Sequence, residues 1–177
     1  SSEMKDIFNN QIKKIINSDR KKRITSSLLT AGLGESLLSN KIQDIMDYYS
    51  KNIKFSFLPN YGGVVIRLES IDENKELFLK IKEKIKKRFD KYYVTDEKIS
   101  LSEFVIRKLK KNKLTISFAE SCTGGLISKL ITDYPGSSEV FKGSLVAYSN
   151  EVKENILKIS PQTLMRHGAV SEKISKE

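Results

Sequence analysis

The chain holds a single cysteine, Cys122, and a single histidine, His167, among 177 residues. One thiol closes no internal disulfide, and the plain reading is a reducing, cytoplasmic setting. The two side chains together are too few for a zinc site, so neither a metal nor a cofactor is expected. No run of about eighteen apolar residues occurs, so no membrane span is expected. Nor is there a basic-then-apolar leader, so no signal peptide is expected. The glycines fall into neither a Walker loop nor a three-glycine dinucleotide fingerprint. No internal repeat or low-complexity tract is visible.

What is there is the composition of a folded protein. Apolar residues make up 38% and charged residues 31%, which sets the chain apart from disordered segments. Its length fits one large domain or two small ones. The net charge of +10 is spread, with +2 over residues 1–50, +4 over 51–100 and +4 over 101–177. Such a balance suits an anionic partner, a nucleotide or RNA. The densest basic run, Lys80 to Arg88, interleaves apolar residues at helical spacing and reads as a solvated helix face.

Periodicity divides the chain. Met4, Ile7, Phe8, Ile12, Ile15 and Ile16 share a helical face, so residues 1–20 read as a helix. Residues 23–29 read as a strand, followed by the turn "AGLGES" and a helix from Glu35 to about Tyr49. Ile53, Phe55 and Phe57, then Val64, Ile66 and Leu68, alternate as strands around a turn at Pro59–Gly63. Phe78, Ile81, Ile85 and Phe89 mark a helix starting near Asp72. This β-α-β-β-α block, residues 21–92, predicts a small α+β domain, with a linker at 93–99. From Ser100 the pattern becomes helix–strand–helix–strand–helix, the mark of an α/β layered fold. Ser100 and Glu103 have capping-box spacing, and Leu101, Phe104, Val105 and Leu109 form the expected buried stripe. "KLTISFA" is a strand, Leu126, Ile127, Leu130 and Ile131 a buried helix face, and Gly143–Tyr148 a second strand. Asn150 is placed to cap a helix carrying Val152, Ile156 and Leu157. Further helices open at Ser160-Pro161 and Ser171-Glu172. So few strands lead us to expect an α/β domain cut short.

The chemistry concentrates in "SFAESCTGG", residues 117–125, where a strand enters a tight turn and a glycine pair opens a helix. That context exposes a nucleophile or cradles an anion, because free N–H groups at a helix start can hold a phosphate or a developing oxyanion. The residues leave the choice open: Ser121 and Thr123 serve equally well as simple caps. A nucleophilic Ser121 needs a base, either His167 or a desolvated lysine. Lys153 fits because it follows the strand "SLVAY" and falls in the first turn of a helix, whose dipole disfavours an ammonium there. Tyr148 ends that strand, and its phenol can relay a proton or orient the lysine. Cys122 is the better nucleophile in itself, but adjacent turn residues point apart, so Ser121 and Cys122 do not share one pocket.

Three stretches in order, "AESCTGG", "DYPGSSEVFKGSLVAYSNEVK" and "LMRHGAVSE", resemble the C-terminal domain of the CinA family of competence/damage-inducible proteins. That domain is the nicotinamide-nucleotide amidase module, also called PncC. Earlier, "LLTAGLGESLLSNKI" resembles the start of the family's KH-like middle domain, and "SSEMKDIFNNQI" the end of its molybdopterin-binding-like domain. The resemblance implies an overall α/β class: a KH-like α+β domain, then the first part, residues 100–177, of an α/β layered amidase domain. It implies hydrolysis of the carboxamide of nicotinamide mononucleotide to nicotinate mononucleotide and ammonia, a salvage step. Ser121 would be the nucleophile, with Tyr148 and Lys153 beside it, 27 and 32 residues on as in the family. Glu120, Thr123, Gly124, Gly125 and Asn150 would line the substrate pocket. The family's later glycine-rich segment and binding threonine and arginine are not in this chain, so we expect residues 1–177 alone to be nearly inactive. The implied partners are the mononucleotide and a second copy of the protein, as a dimer. Nucleic acid is not expected, since neither "GLGE" nor Gly62-Gly63 supplies the G-x-x-G clamp of KH recognition. The alternative is an interaction protein of competence or DNA damage with a KH-like nucleic-acid-binding module.

Overall fold

In the computed structural model, residues 6–12, 23–71 and 74–177 are described. The chain divides between residues 101 and 102 into two units. The helix expected over residues 1–20 falls mostly outside the described residues; within them, Phe8–Ile12 forms a π-helical turn. Among the described residues no helix is long and apolar enough to cross a membrane.

The first unit is built on an antiparallel sheet. Its elements are β1 (Thr25–Thr30), α1 (Glu35–Lys41), α2 (Gln43–Tyr48), β2 (Ile53–Asn60), β3 (Gly63–Ser70), α3 (Lys75–Arg88) and β4 (Tyr93–Thr95). Strand order is β2-β3-β1-β4. The helices cover one sheet face, because alternate residues Leu28, Val64, Ile66 and Leu68 point there. They meet Leu38, Ile42 and Ile45 from α1–α2, and Phe78, Ile81, Ile85 and Phe89 from α3. The β2–β3 turn closes tightly: Asn60 Oδ1 accepts from the Gly62 N–H at 2.8 Å. Gly63, at φ +140°, lies so close to β1 that a Cβ would stand 2.0 Å from the Thr30 carbonyl oxygen. Only glycine fits there.

Three details differ from the sequence reading. The helix expected from Glu35 to Tyr49 is two helices, since Ile42 leaves the helical region at φ −122°, ψ 15°. α3 begins at Lys75, where the Asn74 side chain accepts from the Leu77 N–H at 2.9 Å. The stretch read as a linker at 93–99 opens with a strand: β4 pairs with β1 through Leu29↔Thr95 and Thr30↔Tyr93.

The second unit contains α4 (Leu101–Asn112), β5 (Ile116–Glu120), α5 (Leu126–Thr132), a 3₁₀ turn (Ser137–Glu139), β6 (Phe141–Val146), α6 (Asn150–Asn155), α7 (Pro161–His167) and α8 (Glu172–Lys176). β5 and β6 pair in parallel, as a helical crossover requires. The buried centre is Ile106, Ile131 and Val140, with Val105, Leu109, Phe118 and Phe141 packed around it. Ile106, outside the expected stripe on α4, is the residue that α4 buries completely. On α5 only Ile131 is buried, and Leu126 and Ile127 are each 41% exposed. α7 and α8 follow the expected starts: Ser160 caps with Pro161 next, and Ser171 Oγ accepts from the Ile174 N–H.

Candidate active site

β5 carries Glu120 and Ser121 to one end of the second unit, and β6 brings Ala147 and Tyr148 to the same end. Gly124 and Gly125, at φ +58° and +96°, make a left-handed turn that an L side chain resists. This turn swings the start of α5 back over Glu120. The Glu120 carboxylate, in a residue only 2% exposed, then takes the N–H groups that the helix start leaves unpaired. Its Oε2 accepts from Gly125 N at 3.0 Å and Ile127 N at 3.1 Å. Its Oε1 accepts from Ser128 N at 2.9 Å and from the Ser128 hydroxyl. Burial works against ionisation of this carboxyl, but donors from Ser128, Thr123 and Ile127 outweigh it and bring it from the ordinary 4.5 to about 2.

Of the two readings left open for this turn, the anion cradle at the α5 start is already filled by Glu120, each of whose oxygens has two donors from the turn or helix.

Lys153 is buried at 3% exposure. Its Nζ donates to the Ala147 carbonyl at 2.7 Å and the Tyr148 carbonyl at 2.8 Å. It is the fourth residue of the six in α6, so it lies outside the first turn where the dipole argument had placed it. Ser149 caps α6, its Oγ accepting from Val152 N at 3.2 Å, while Asn150 is the first helical residue and exposed. Tyr148 meets the lysine through its main-chain oxygen, and the residue is 74% exposed. Ala147 joins the two halves of the site. Its N–H donates to the Glu120 carbonyl at 2.7 Å, and its own carbonyl receives Lys153. One residue thereby spaces the serine strand from the lysine. No sequence signal marks such a residue, because only its main chain acts.

Ser121 and Lys153 line the same cavity of about 340 Å³, with Ala147, Leu157, Ile159 and Ile174 as its apolar wall and Ser175 and Glu177 at its polar side. Ser121 also borders a second hollow of about 440 Å³, shared with Cys122, Thr123, Ser171 and Glu172. Against the expectation that Ser121 and Cys122 do not share one pocket, Cys122, exposed and free, borders this second hollow with Ser121; it does not line the cavity that holds Lys153. His167 and Asn150 line neither. So the structure brings Ser121, Lys153 and Glu120 together at one cavity and Thr123 beside it. It gives the glycine pair a conformational part and leaves Asn150 and the Tyr148 side chain outside. Among the described residues no three His, Cys, Asp or Glu side chains gather where they could hold a metal ion.

A small α+β unit followed by a parallel α/β unit with a serine and a buried lysine at its strand ends defines the class of this chain. Residues 25–95 match the family model of the damage-inducible protein CinA KH domain, and residues 98–177 that of the CinA C-terminal domain. The chain belongs to the CinA family. It is 41% identical over 161 residues to a CinA-like protein of Prochlorococcus marinus (strain AS9601), covering 89% of this chain and 38% of that protein. With a CinA-like protein of Thermotoga sp. (strain RQ2) it shares 43% identity over 150 residues, 81% of this chain and 35% of the relative. The chain thus spans under two-fifths of the length of these curated relatives. The crystal structure of competence/damage inducible protein CihA from Agrobacterium tumefaciens overlays 42% of this chain and 46% of its own, at 37% identity and a TM-score of 0.42.

Proposed function

We propose that this chain carries the nucleophile and proton acceptor of a nicotinamide-nucleotide amidase. The observation that supports the reading is the shared cavity: a serine at a strand-to-helix turn and a buried lysine whose amine is held by two carbonyls. The Ala147 and Tyr148 carbonyls take two of the three tetrahedral directions about Nζ and leave one for proton exchange with Ser121. Ser121 Oγ attacks the carboxamide carbon of the mononucleotide, and its proton passes to Lys153. The tetrahedral adduct collapses with cleavage of the C–N bond, and Lys153 returns the proton to the departing ammonia. Water then gives a proton to the same lysine and attacks the ester carbonyl; the bond to Ser121 Oγ breaks, Lys153 returns the proton to that oxygen, and the nicotinate product leaves. The N–H groups of Gly125, Ile127 and Ser128 are held by Glu120, so the oxyanion takes its donors from elsewhere around the turn.

The test is ammonia release from nicotinamide mononucleotide, measured for this chain and for a form extended to its relatives' length. Ser121→Ala should abolish the release seen with wild type. If neither wild-type form deamidates the mononucleotide, the reading is wrong.

A further inference from the structure

We propose that Glu120 is the positioning residue for the Ser121 nucleophile, a buried carboxylate that locks the serine turn from within and keeps the α5 start closed to the substrate's anionic group. The inference rests on the amidase reading and assigns Glu120 a part other than the substrate contact implied by the family resemblance.

Ser121 is held through its neighbours on both sides. On one side, residue 120 is fixed twice: its carbonyl accepts from Ala147 N at 2.7 Å, and its side chain is tied to Gly125, Ile127 and Ser128. On the other, the Ser121 carbonyl accepts from Gly124 N at 3.0 Å, and Thr123 O from Leu126 N at 3.0 Å. The turn cannot rotate without taking donors away from an ionised acceptor, and such charge-assisted bonds are the strong ones. The depressed pKa of Glu120 shows that these donors prevail over burial. Ser121 is therefore held at a fixed spacing from Lys153 through Ala147, and reactive geometry of this kind is costly to lose. A phosphate approaching the same N–H groups would meet a carboxylate already seated there. Its binding must use other parts of the site, so Glu120 should leave substrate affinity alone.

Glutamine offers one acceptor oxygen where glutamate offers two, and its NH₂ would face N–H donors. In a form of the protein whose wild type deamidates the mononucleotide, Glu120→Gln should lower kcat at least about tenfold and leave KM within about twofold. Ser128→Ala, which deletes only the hydroxyl donor, should lower kcat by less, again with KM unchanged. Amide hydrogen exchange across residues 123–128 should speed up in both variants, and this readout needs no substrate. A raised KM with kcat preserved would mean that Glu120 touches substrate, and would overturn the proposal. Unchanged exchange together with unchanged kcat would overturn it as well. If Glu120→Gln does not fold, Ser128→Ala decides by the same two readouts. If wild type shows no deamidation, the amidase reading fails, and the exchange comparison still tests the lock.

Discussion

Replacing Lys153 with methionine keeps an unbranched four-atom stem and removes the amine. The structure predicts two separable effects. The Ala147 and Tyr148 carbonyls lose their donor at a site that is only 3% exposed. A buried acceptor left unpaired costs about 1–3 kcal/mol. Methionine brings no polar group of its own into the buried site, which offsets part of that, so the net loss should be about 1–3 kcal/mol rather than twice as much. The effect on catalysis should be larger. A positioned proton acceptor contributes about 10²–10⁴-fold, equivalent to about 2.7–5.4 kcal/mol of barrier. Urea unfolding gives the first quantity, and ammonia release under conditions where the variant remains folded gives the second. A folded Lys153→Met protein with more than about a tenth of wild-type activity would refute the assignment of Lys153 as the proton acceptor.

Other consequences are open to measurement. Gly63→Ala puts a Cβ 2.0 Å from the Thr30 carbonyl at φ +140°; it should cost at least about 3 kcal/mol and disrupt the β1–β3 pairing. Ile106→Ala, at a fully buried position in the second unit, should cost about 2–5 kcal/mol in urea unfolding. Glu120 has its pKa lowered from 4.5 to about 2, so the stability it contributes is fully present above pH 4.5 and is lost as pH falls through 2. Asp44, Glu69 and Asp96 are lowered by hydrogen bonds from Arg88, Arg23 and Lys82, and act with the same sign. An acid titration by circular dichroism should show unfolding begin below pH 4.5, and a chain whose stability rose on acidification would contradict these pairings.

Much of the fold could be read in the sequence because its cues are local and periodic. Phe78, Ile81, Ile85 and Phe89 name the buried side of α3, and Ser160 with Pro161 names the start of α7. β4 escaped because three residues, Tyr93–Thr95, carry too few side chains to show an alternation; they are strand only because β1 offers an edge. Leu126 and Ile127 look like core by pattern, yet exposure depends on what lies above them, which periodicity does not encode. The site divides in the same way. The turn and its glycine pair stand out as a motif, and the lysine as a buried candidate. The hold on that lysine does not, because it comes from main-chain oxygens of Ala147 and Tyr148 set by how β6 ends. Glu120 reads as a pocket residue by its place in "AESCTGG", whereas the backward turn of α5 gives its oxygens to the chain's own N–H groups.

The most direct test of the serine mechanism is mass spectrometry of protein quenched during turnover of nicotinamide mononucleotide, followed by peptide mapping. The account predicts an adduct equal to the substrate less ammonia, on the peptide holding residues 117–125 and lost in Ser121→Ala. An adduct on Cys122, or one that persists in Ser121→Ala, would contradict the assignment of Ser121 as the attacking group.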